Sequence, residues 1–230
     1  MRQQPNTFSF GAKIRQCLSD IMYGLFRASL IVIFRVFFHV RIVGRHHCPK
    51  DGRPLLVVSN HISEWDPPFV GSSLPWQVHW LAKTELFELL GGKMNGFFHM
   101  LHCIPVDRDQ VDLSIVKHTV RLLKGKRPVV VFAEGGVRRN ETSVLGGNPQ
   151  LKEGAASMAI LAGCEILPMI VNGTFAAYRW QNWLSFRRPM LEIIIGPVFK
   201  PKGRDRSQVT QEILQQLLNL KPQLKQSKIC

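Results

Sequence analysis

Short apolar segments of strand character alternate with segments of helical spacing along most of this chain. The runs 55–59, 129–132 and 166–171 are apolar, and helical spacing of apolar residues marks 109–124 and 209–220. Strands that alternate with helices predict an α/β fold, here a mixed, largely parallel sheet flanked by helices. In such a sheet the functional loops gather at the carboxyl ends of the strands. We therefore expect the chemistry at those ends.

Length and charge define three predicted parts of the chain. With 230 residues and 45% hydrophobic content, the chain can bury a full core, and disorder is excluded. The formal net charge of +14 is concentrated at the two ends of the chain. We predict a membrane-associating helical segment at 1–40, a catalytic domain at 41–204, and an amphipathic helix with a basic tail at 205–230.

The basic ends predict an anionic partner, which is either nucleic acid or an anionic lipid surface. Neither zinc-finger spacing nor an aromatic RNA-binding signature occurs, so we expect no nucleic-acid binding. The five cysteines are scattered and form no Cys-x-x-Cys pair, which favours reduced thiols in the cytosol. The short His/Cys groups have no second group at ligand spacing, and we expect no metal.

Residues 12–40 form the longest apolar stretch, which Arg27 and Arg35 interrupt. On a helical wheel, Asp20 and Gly24 fall on one stripe with the two arginines, and most of the remaining circumference is apolar. A wide apolar face with a narrow basic stripe favours a helix that lies in the membrane interface. The alternatives are a helix packed in the core and a true membrane span.

His61 and Asp66 lie on the loop that follows the apolar run 55–58, with four residues between them. A neutral imidazole is available as a general base near pH 7, and a carboxylate can fix its tautomer. The purely structural interpretation is that Asp66 caps the following helix and that His61 is an ordinary loop residue.

Three further blocks follow predicted strands. The block 104–108 ends in Arg108, which can bind phosphate or form a local ion pair. The block 132–139 combines Glu134, two glycines and two arginines, and suits either an anionic ligand or a plain glycine turn. The block 166–174 is interpreted as a strand that floors a pocket.

In this order and spacing, the four blocks resemble those of the glycerolipid acyltransferase family, most closely the 1-acylglycerol-3-phosphate acyltransferases. That family has a His-x4-Asp block, an Ile-Pro-Val-Asp-Arg-like block, a Phe-Pro-Glu-Gly-Thr-Arg-Ser-like block and a strand containing Val-Pro. Lys83 and the run Lys152-x-Gly154-Ala155 also match family positions. The resemblance covers residues 38–200, and four blocks in order are far more specific than one.

The resemblance implies a membrane-associated enzyme at the cytoplasmic face that moves an acyl group from acyl-CoA or acyl carrier protein to a lysophospholipid hydroxyl. His61 would be the catalytic base and Asp66 its orienting carboxylate, without metal, cofactor or covalent intermediate. The residues expected to hold the acceptor are Lys83, Arg108, Glu134, Gly135, Arg138 and Arg139. Another acceptor, such as glycerol-3-phosphate or an aminolipid, and a non-catalytic lipid-binding protein are the alternatives.

The third block departs from the family pattern. Ala133 stands where the family usually has proline, and Gly136-Val137 stands in place of threonine. The first arginine therefore follows Glu134 by four residues instead of three. Either Arg138 or Arg139 can take the phosphate-binding role, and the acceptor can differ from the main one of the family.

Overall fold

One mixed sheet organises the chain in the computed structural model, which describes residues 10–51, 53–89, 91–107, 113–184 and 187–224. Within these ranges the strands are β1 His39–Val43, β2 Leu55–Ser59, β3 His79–Lys83, β4 Cys103–Val106, β5 Val129–Phe132, β6 Glu165–Asn172 and β7 Met190–Ile195. The helices are α1 Phe10–Phe37, α2 Asp66–Ser73, α3 Thr84–Glu88, α4 Asn95–Met100, α5 Leu113–Lys124, α6 Gly154–Ala162, α7 Trp180–Leu184 and α8 Arg206–Leu220.

The strand order is β1-β7-β6-β2-β5-β3-β4, and only the β6–β7 pair is antiparallel. The predicted mixed, largely parallel sheet is therefore confirmed. Every residue of β2 is buried, as expected for a central strand covered on both faces. Ser59 pairs with Phe132 of β5 and with Met169 of β6. The loops that follow these three strands consequently meet at one edge of the sheet.

Helices cover the two faces of the sheet in separate layers. One layer contains α5, α6 and α8, whose buried side chains include Leu123, Ile213 and Leu217. The other contains α1 and α2, which bury Phe34 and Phe69 against the opposite face. Because α8 shares its core with α6, the C-terminal helix packs on the sheet. The three-part division of the chain stays a prediction, and residues 225–230 lie outside the described ranges.

Helix α1 packs along one side and leaves its other side exposed. Of residues 17–37, Tyr23 and Phe34 are buried, and the exposed side carries Leu18, Ile21, Met22, Leu25, Val32, Ile33 and Val36. The segment Cys17–Phe37 is long and apolar enough to cross a membrane. This exposure does not fit the core-packed alternative.

The polar stripe of α1 faces the protein more than the sequence suggested. The Arg27 guanidinium donates to the carbonyl oxygens of Gly71 and Leu74 at the C-terminal end of α2. The backbone oxygen of Asp20 accepts a hydrogen bond from Gln77 at 3.0 Å. Carbonyl groups at a helix end have no partners within their own helix, so a cation placed there satisfies them. The wide apolar side of α1 thus points away from the sheet.

Candidate active site

His61 and Asp66 form a buried pair at the carboxyl end of β2. The Nδ1–H group of His61 donates to Asp66 Oδ2 at 2.8 Å, and the two residues are 2% and 0% exposed. Asp66 is the first residue of α2, but its carboxylate turns back towards the loop. It accepts the backbone N–H groups of Ile62 and Ser63 at 2.7 and 2.9 Å. The pair is therefore more than a helix cap, and it leaves Nε2 of His61 as the basic nitrogen.

A threonine that follows the neighbouring strand β6 completes the environment of Asp66. The Thr174 hydroxyl donates to Asp66 Oδ1, so both carboxylate oxygens accept hydrogen bonds. Thr174 is fully buried and follows β6 through Gly173. Gly173 has φ +83°, and a Cβ there would lie 2.2 Å from the Met190 carbonyl oxygen. Glycine is consequently needed for the turn that presents Thr174.

The loop after β5 fixes His61 from a second direction. The imidazole of His61 stacks on the ring of Phe132, the last residue of β5, with centroids 4.1 Å apart and an interplanar angle of 15°. The backbone N–H of Arg138 donates to the His61 carbonyl oxygen at 2.7 Å. Ring and backbone are thus both held, which leaves the imidazole little freedom to rotate away from Asp66.

Glu134 lies in the protein interior. One carboxylate oxygen accepts the backbone N–H of His61 at 2.7 Å. The other accepts the N–H of Val144 at 2.6 Å and the hydroxyl of Ser143 at 3.0 Å. Burial raises the pKa of Glu134, while these hydrogen bonds act in the opposite direction. The expectation that Glu134 holds the acceptor is untested, but this placement favours a positioning role for it.

Gly135 and Lys83 lie at the mouth of the site. Gly135 has φ +74°, and a Cβ there would approach the Lys152 side chain to 2.9 Å. The glycine therefore permits both the turn and the close packing of Lys152. Lys83 ends β3, is exposed, and lines the same cavity as His61. The positions of Gly135 and Lys83 do not test whether either residue contacts an acceptor.

The arginines occupy different positions. The Arg138 guanidinium donates to the Gln150 carbonyl oxygen at 3.1 Å. Arg139 is exposed, and its guanidinium lies over the Phe175 ring at 4.4 Å and near the Tyr178 ring at 5.9 Å. Arg108 lies outside the described residues. The choice between Arg138 and Arg139 as the phosphate ligand stays open.

A cavity of 440 Å³ opens beside His61 between α1, α2, β3 and α4. Its walls are mostly apolar and aromatic, and they include Tyr23, Phe26, Leu30, Trp80, Phe97 and Leu101. An apolar cavity of this size suits a hydrocarbon chain. The arrangement therefore places the His61 imidazole beside a space that suits an apolar substrate.

Cys103 also lines this cavity, and a cysteine thiolate can act as a nucleophile. Burial raises the pKa of its thiol to about 12, so the reactive thiolate is scarce near neutral pH. Among the described residues, no group of three or more His, Cys, Asp or Glu side chains is placed to hold a metal ion. The expectation of a metal-free site stays a prediction.

Sequence reasoning missed two supporting residues. Thr174 was assigned to a structural strand block, and Asn60 was given no role. The Asn60 side chain pairs with both backbone groups of Val171, at 2.8 and 2.9 Å, and so ties the His61 loop to β6. The only available signal was that both residues lie at strand ends, where a parallel sheet gathers its loops.

Comparison with known proteins identifies relatives that cover most of the chain. Residues 39–172 match the family described as Acyltransferase, and this match covers more than half of the chain. A 1-acyl-sn-glycerol-3-phosphate acyltransferase of Bacillus subtilis is 27% identical over 176 residues, which are 76% of this chain and 81% of that protein. A protein of the same name from Chlamydomonas reinhardtii is 31% identical over 167 residues, 72% of this chain but 48% of its own length.

The fold has a counterpart among solved structures. The crystal structure of the 1-acyl-sn-glycerophosphate acyltransferase PlsC from Thermotoga maritima superposes with a TM-score of 0.70. The superposition covers 94% of this chain and 84% of that protein, at 20% sequence identity, and it supports the shared fold. The match over 39–172 includes His61, Asp66 and the loop after β5. The chain is therefore an acyltransferase and belongs to the Acyltransferase family.

Proposed function

We propose that this chain transfers a fatty acyl group from acyl-CoA or acyl carrier protein to the hydroxyl of 1-acylglycerol-3-phosphate, which gives phosphatidate. The observation that carries this proposal is the buried His61–Asp66 pair beside an apolar cavity. Because burial raises the pKa of the Cys103 thiol in this cavity, a base that activates the acceptor hydroxyl directly suits transfer from a thioester. The names of the relatives support the choice of acceptor.

In the proposed reaction, His61 Nε2 removes the proton of the acceptor hydroxyl as its oxygen attacks the thioester carbonyl carbon. Asp66 holds the imidazolium that forms, through the 2.8 Å hydrogen bond to Nδ1. The tetrahedral intermediate then collapses, the carbon–sulfur bond breaks, and the proton passes from His61 to the thiolate. The products are an ester and a free thiol, and no external cofactor is needed.

The acyl chain of the donor requires an apolar cavity, whereas the phosphate of the acceptor requires positive charge. Different parts of the site meet these two requirements. An acyl chain can lie in the 440 Å³ cavity, where aromatic walls exclude water from the thioester. The phosphate of the acceptor requires cations near the mouth of the site. Lys83 and Arg139 are exposed there, and Arg108 and Arg138 are the further candidates from the family resemblance. Gly135, with φ +74°, permits the turn that leads from β5 towards these arginines.

We also propose that α1 holds the site at the cytoplasmic face of a membrane. Its exposed apolar side and its length support insertion into the interface or the bilayer. Membrane lipids would then be both the surface and the source of the acceptor.

A second acceptor is favoured by one specific observation. The third sequence block lacks the proline and threonine of the family and places its arginines one residue later. Arg138 is also engaged with Gln150. A different headgroup, such as that of another lysophospholipid, glycerol-3-phosphate or an aminolipid, is therefore the alternative. A non-catalytic lipid-binding role fits less well, because the His61–Asp66 pair is intact.

The test is to supply the purified chain with a labelled acyl-CoA or acyl carrier protein and a panel of lysolipids in mixed micelles. We expect labelled phosphatidate from 1-acylglycerol-3-phosphate as the main product. A stronger signal from another lysolipid would move the assignment to that acceptor. If no lysolipid, glycerol-3-phosphate or aminolipid accepts the label, while the chain still binds lipid, the non-catalytic alternative is favoured.

A further inference from the structure

The connection between β6 and β7 exposes an unusual number of large apolar side chains. Phe175 and Tyr178 are 42% and 45% exposed, and Trp180 and Leu184 on α7 are 65% and 68% exposed. We call these four residues the β6–β7 patch. Single exposed apolar residues are ordinary, but four of them within one connection indicate an interaction surface.

The patch is fixed to the C-terminal end of α1. Trp183 of α7 packs its ring against Phe37 and Phe38, with centroid distances of 5.3 and 4.9 Å. The Arg188 guanidinium donates to the carbonyl oxygen of Arg35 at 2.6 Å. The patch and α1 therefore belong to the same layer of the molecule and cannot move independently without breaking these contacts.

Apolar exposure is concentrated in this layer. Of the fourteen large hydrophobic side chains that are exposed among the described residues, eleven belong to α1 or to the β6–β7 patch. The layer of α5, α6 and α8 has two, Leu113 and Leu161. The protein thus presents one apolar side, which extends beyond α1 to the connection between β6 and β7.

The charge around this side indicates what it contacts. Residues 166–191 contain three arginines and no acidic residue, and residues 21–38 contain two arginines and no acidic residue. The exposed Glu64, whose backbone N–H donates to Tyr178, is an acidic residue beside the patch. Arg187 and Arg35 are exposed near the apolar side chains. Trp and Tyr beside basic residues are typical of elements that rest in the headgroup region of anionic bilayers. The excess of arginine over acidic residues on this side favours an anionic bilayer.

The connection between β6 and β7 also contacts the residues of the active site. Thr174 donates to Asp66, and the Tyr178 hydroxyl accepts the backbone N–H of Glu64 at 3.0 Å. A surface that rested on this connection would lie next to the loop that carries His61. Phe26 and Leu30 of α1 also line the cavity beside His61, so the apolar side and this cavity share one helix.

We propose that the β6–β7 patch docks on an anionic lipid bilayer as a second membrane contact beside α1, with Trp180 and Leu184 in the interface and Arg187 at the headgroups. The inference rests on the membrane location proposed above and adds the orientation of the site. Two separate contacts fix a plane, whereas a single helix leaves the catalytic domain free to rotate about it. In this orientation the mouth of the site faces the bilayer.

The test measures flotation of the full chain with vesicles of phosphatidylcholine and phosphatidylglycerol at a ratio of 7:3. The variant Trp180→Ala/Leu184→Ala should need about tenfold more lipid for half-maximal binding, because two large apolar side chains leave the interface. The matched control is Leu113→Ala/Leu161→Ala, which removes two exposed leucines from the opposite layer and should change this value less than twofold. Arg187→Glu should weaken binding to these vesicles but not to pure phosphatidylcholine.

Activity provides the second measurement. The Trp180→Ala/Leu184→Ala variant should keep its turnover on a short-chain, water-soluble lysophosphatidate, and it should need about tenfold more vesicles when the acceptor is embedded in them. Unchanged vesicle binding by this variant would overturn the docking proposal and leave the proposed function intact. Loss of self-association instead of vesicle binding would assign the patch to a second copy and also overturn the proposal. If the unmodified chain does not float with vesicles, the membrane location fails as well.

Discussion

Asp66 is the residue on which the geometry of the site depends most. Its carboxylate accepts hydrogen bonds from the imidazole of His61, from two backbone N–H groups and from Thr174. Three of these donors come from the adjoining loop, and the fourth comes from a position 108 residues away in the chain. Thr174 therefore links the orientation of the carboxylate to β6, the strand that lies beside β2.

Thr174→Val removes the remote donor and nearly preserves the side-chain volume. We expect kcat to fall by about tenfold, since the loss of one hydrogen bond to a charged group loosens the orientation of His61. Steady-state acyl transfer measures this. The control is Thr119→Val, because Thr119 is fully buried on α5 and its hydroxyl has no hydrogen-bond partner in the described part of the chain. Equal losses in both variants would contradict a specific role for Thr174.

Glu134→Gln separates a positioning role from an acceptor-binding role. Glutamine can no longer accept on both sides, so the backbone N–H groups of His61 and Val144 compete for one oxygen. We expect kcat to fall by roughly 10- to 100-fold with little change in the KM of the acceptor. A rise in that KM at constant kcat would instead support the headgroup contact predicted from the family resemblance. Exposed Glu153→Gln in the same connection is the control.

At the residue scale, local spacing was sufficient to find His61 and Asp66. Four intervening residues on a strand-end loop place the two side chains together, and the structure has them 2.8 Å apart. Spacing could not find Thr174, because its contact with Asp66 depends on β6 lying beside β2. Nor could it predict that Glu134 is buried, since a glutamate next to glycines suggests an exposed turn.

At the scale of elements, apolar periodicity predicted three of the strands and two of the helices to within a few residues. The run 55–59 coincides with β2, and the helix predicted over 209–220 is part of α8 Arg206–Leu220. The orientation of α1 relative to the rest of the protein could not be predicted from the sequence. A helical wheel shows a polar stripe, but it cannot say whether the stripe meets water or, as Arg27 does, the carbonyl end of another helix.

Arg27→Met tests the contact between α1 and α2. We expect the free energy of unfolding to fall by about 1–2 kcal/mol, because the carbonyl groups of Gly71 and Leu74 lose a charged donor. Urea unfolding followed by circular dichroism measures the change. Arg35→Met serves as control on the same helix, since its side chain is exposed and should contribute under about 0.5 kcal/mol. Equal effects of the two variants would argue against the role assigned to Arg27.

At the scale of the whole molecule, the order of the strands assembles the site. Because β2 lies between β5 and β6, the loops that carry His61, Glu134 and Thr174 converge at one edge. The sequence predicted a mixed, largely parallel sheet but not this order, nor the antiparallel pairing of β6 with β7. Strand order depends on how crossovers pack on both faces, which local periodicity does not encode.

Stability of the whole fold should depend on pH through His79. Its ring stacks on that of His102, with centroids 4.8 Å apart. Burial lowers the pKa of His79 from 6.5 to about 4, and burial also lowers the pKa of His102. Between pH 6.5 and pH 4 the unfolded chain therefore binds more protons than the folded chain.

The free energy of unfolding should consequently be undiminished above pH 6.5 and fall as the pH drops towards 4. We expect His79 to account for about 2–3 kcal/mol of that loss. Urea unfolding at a series of pH values measures it, and His79→Phe, which keeps a planar ring, should reduce the slope. An identical slope in the variant would contradict the assignment.

The central claim is that His61 is the base for acyl transfer to a lipid hydroxyl. Single-turnover transfer from labelled acyl-CoA to 1-acylglycerol-3-phosphate tests this claim most directly, with the unmodified chain compared with His61→Ala. The account predicts labelled phosphatidate from the unmodified chain and a rate at least about 1,000-fold lower in the variant, with donor binding retained. A rate in His61→Ala within tenfold of the unmodified chain would contradict it.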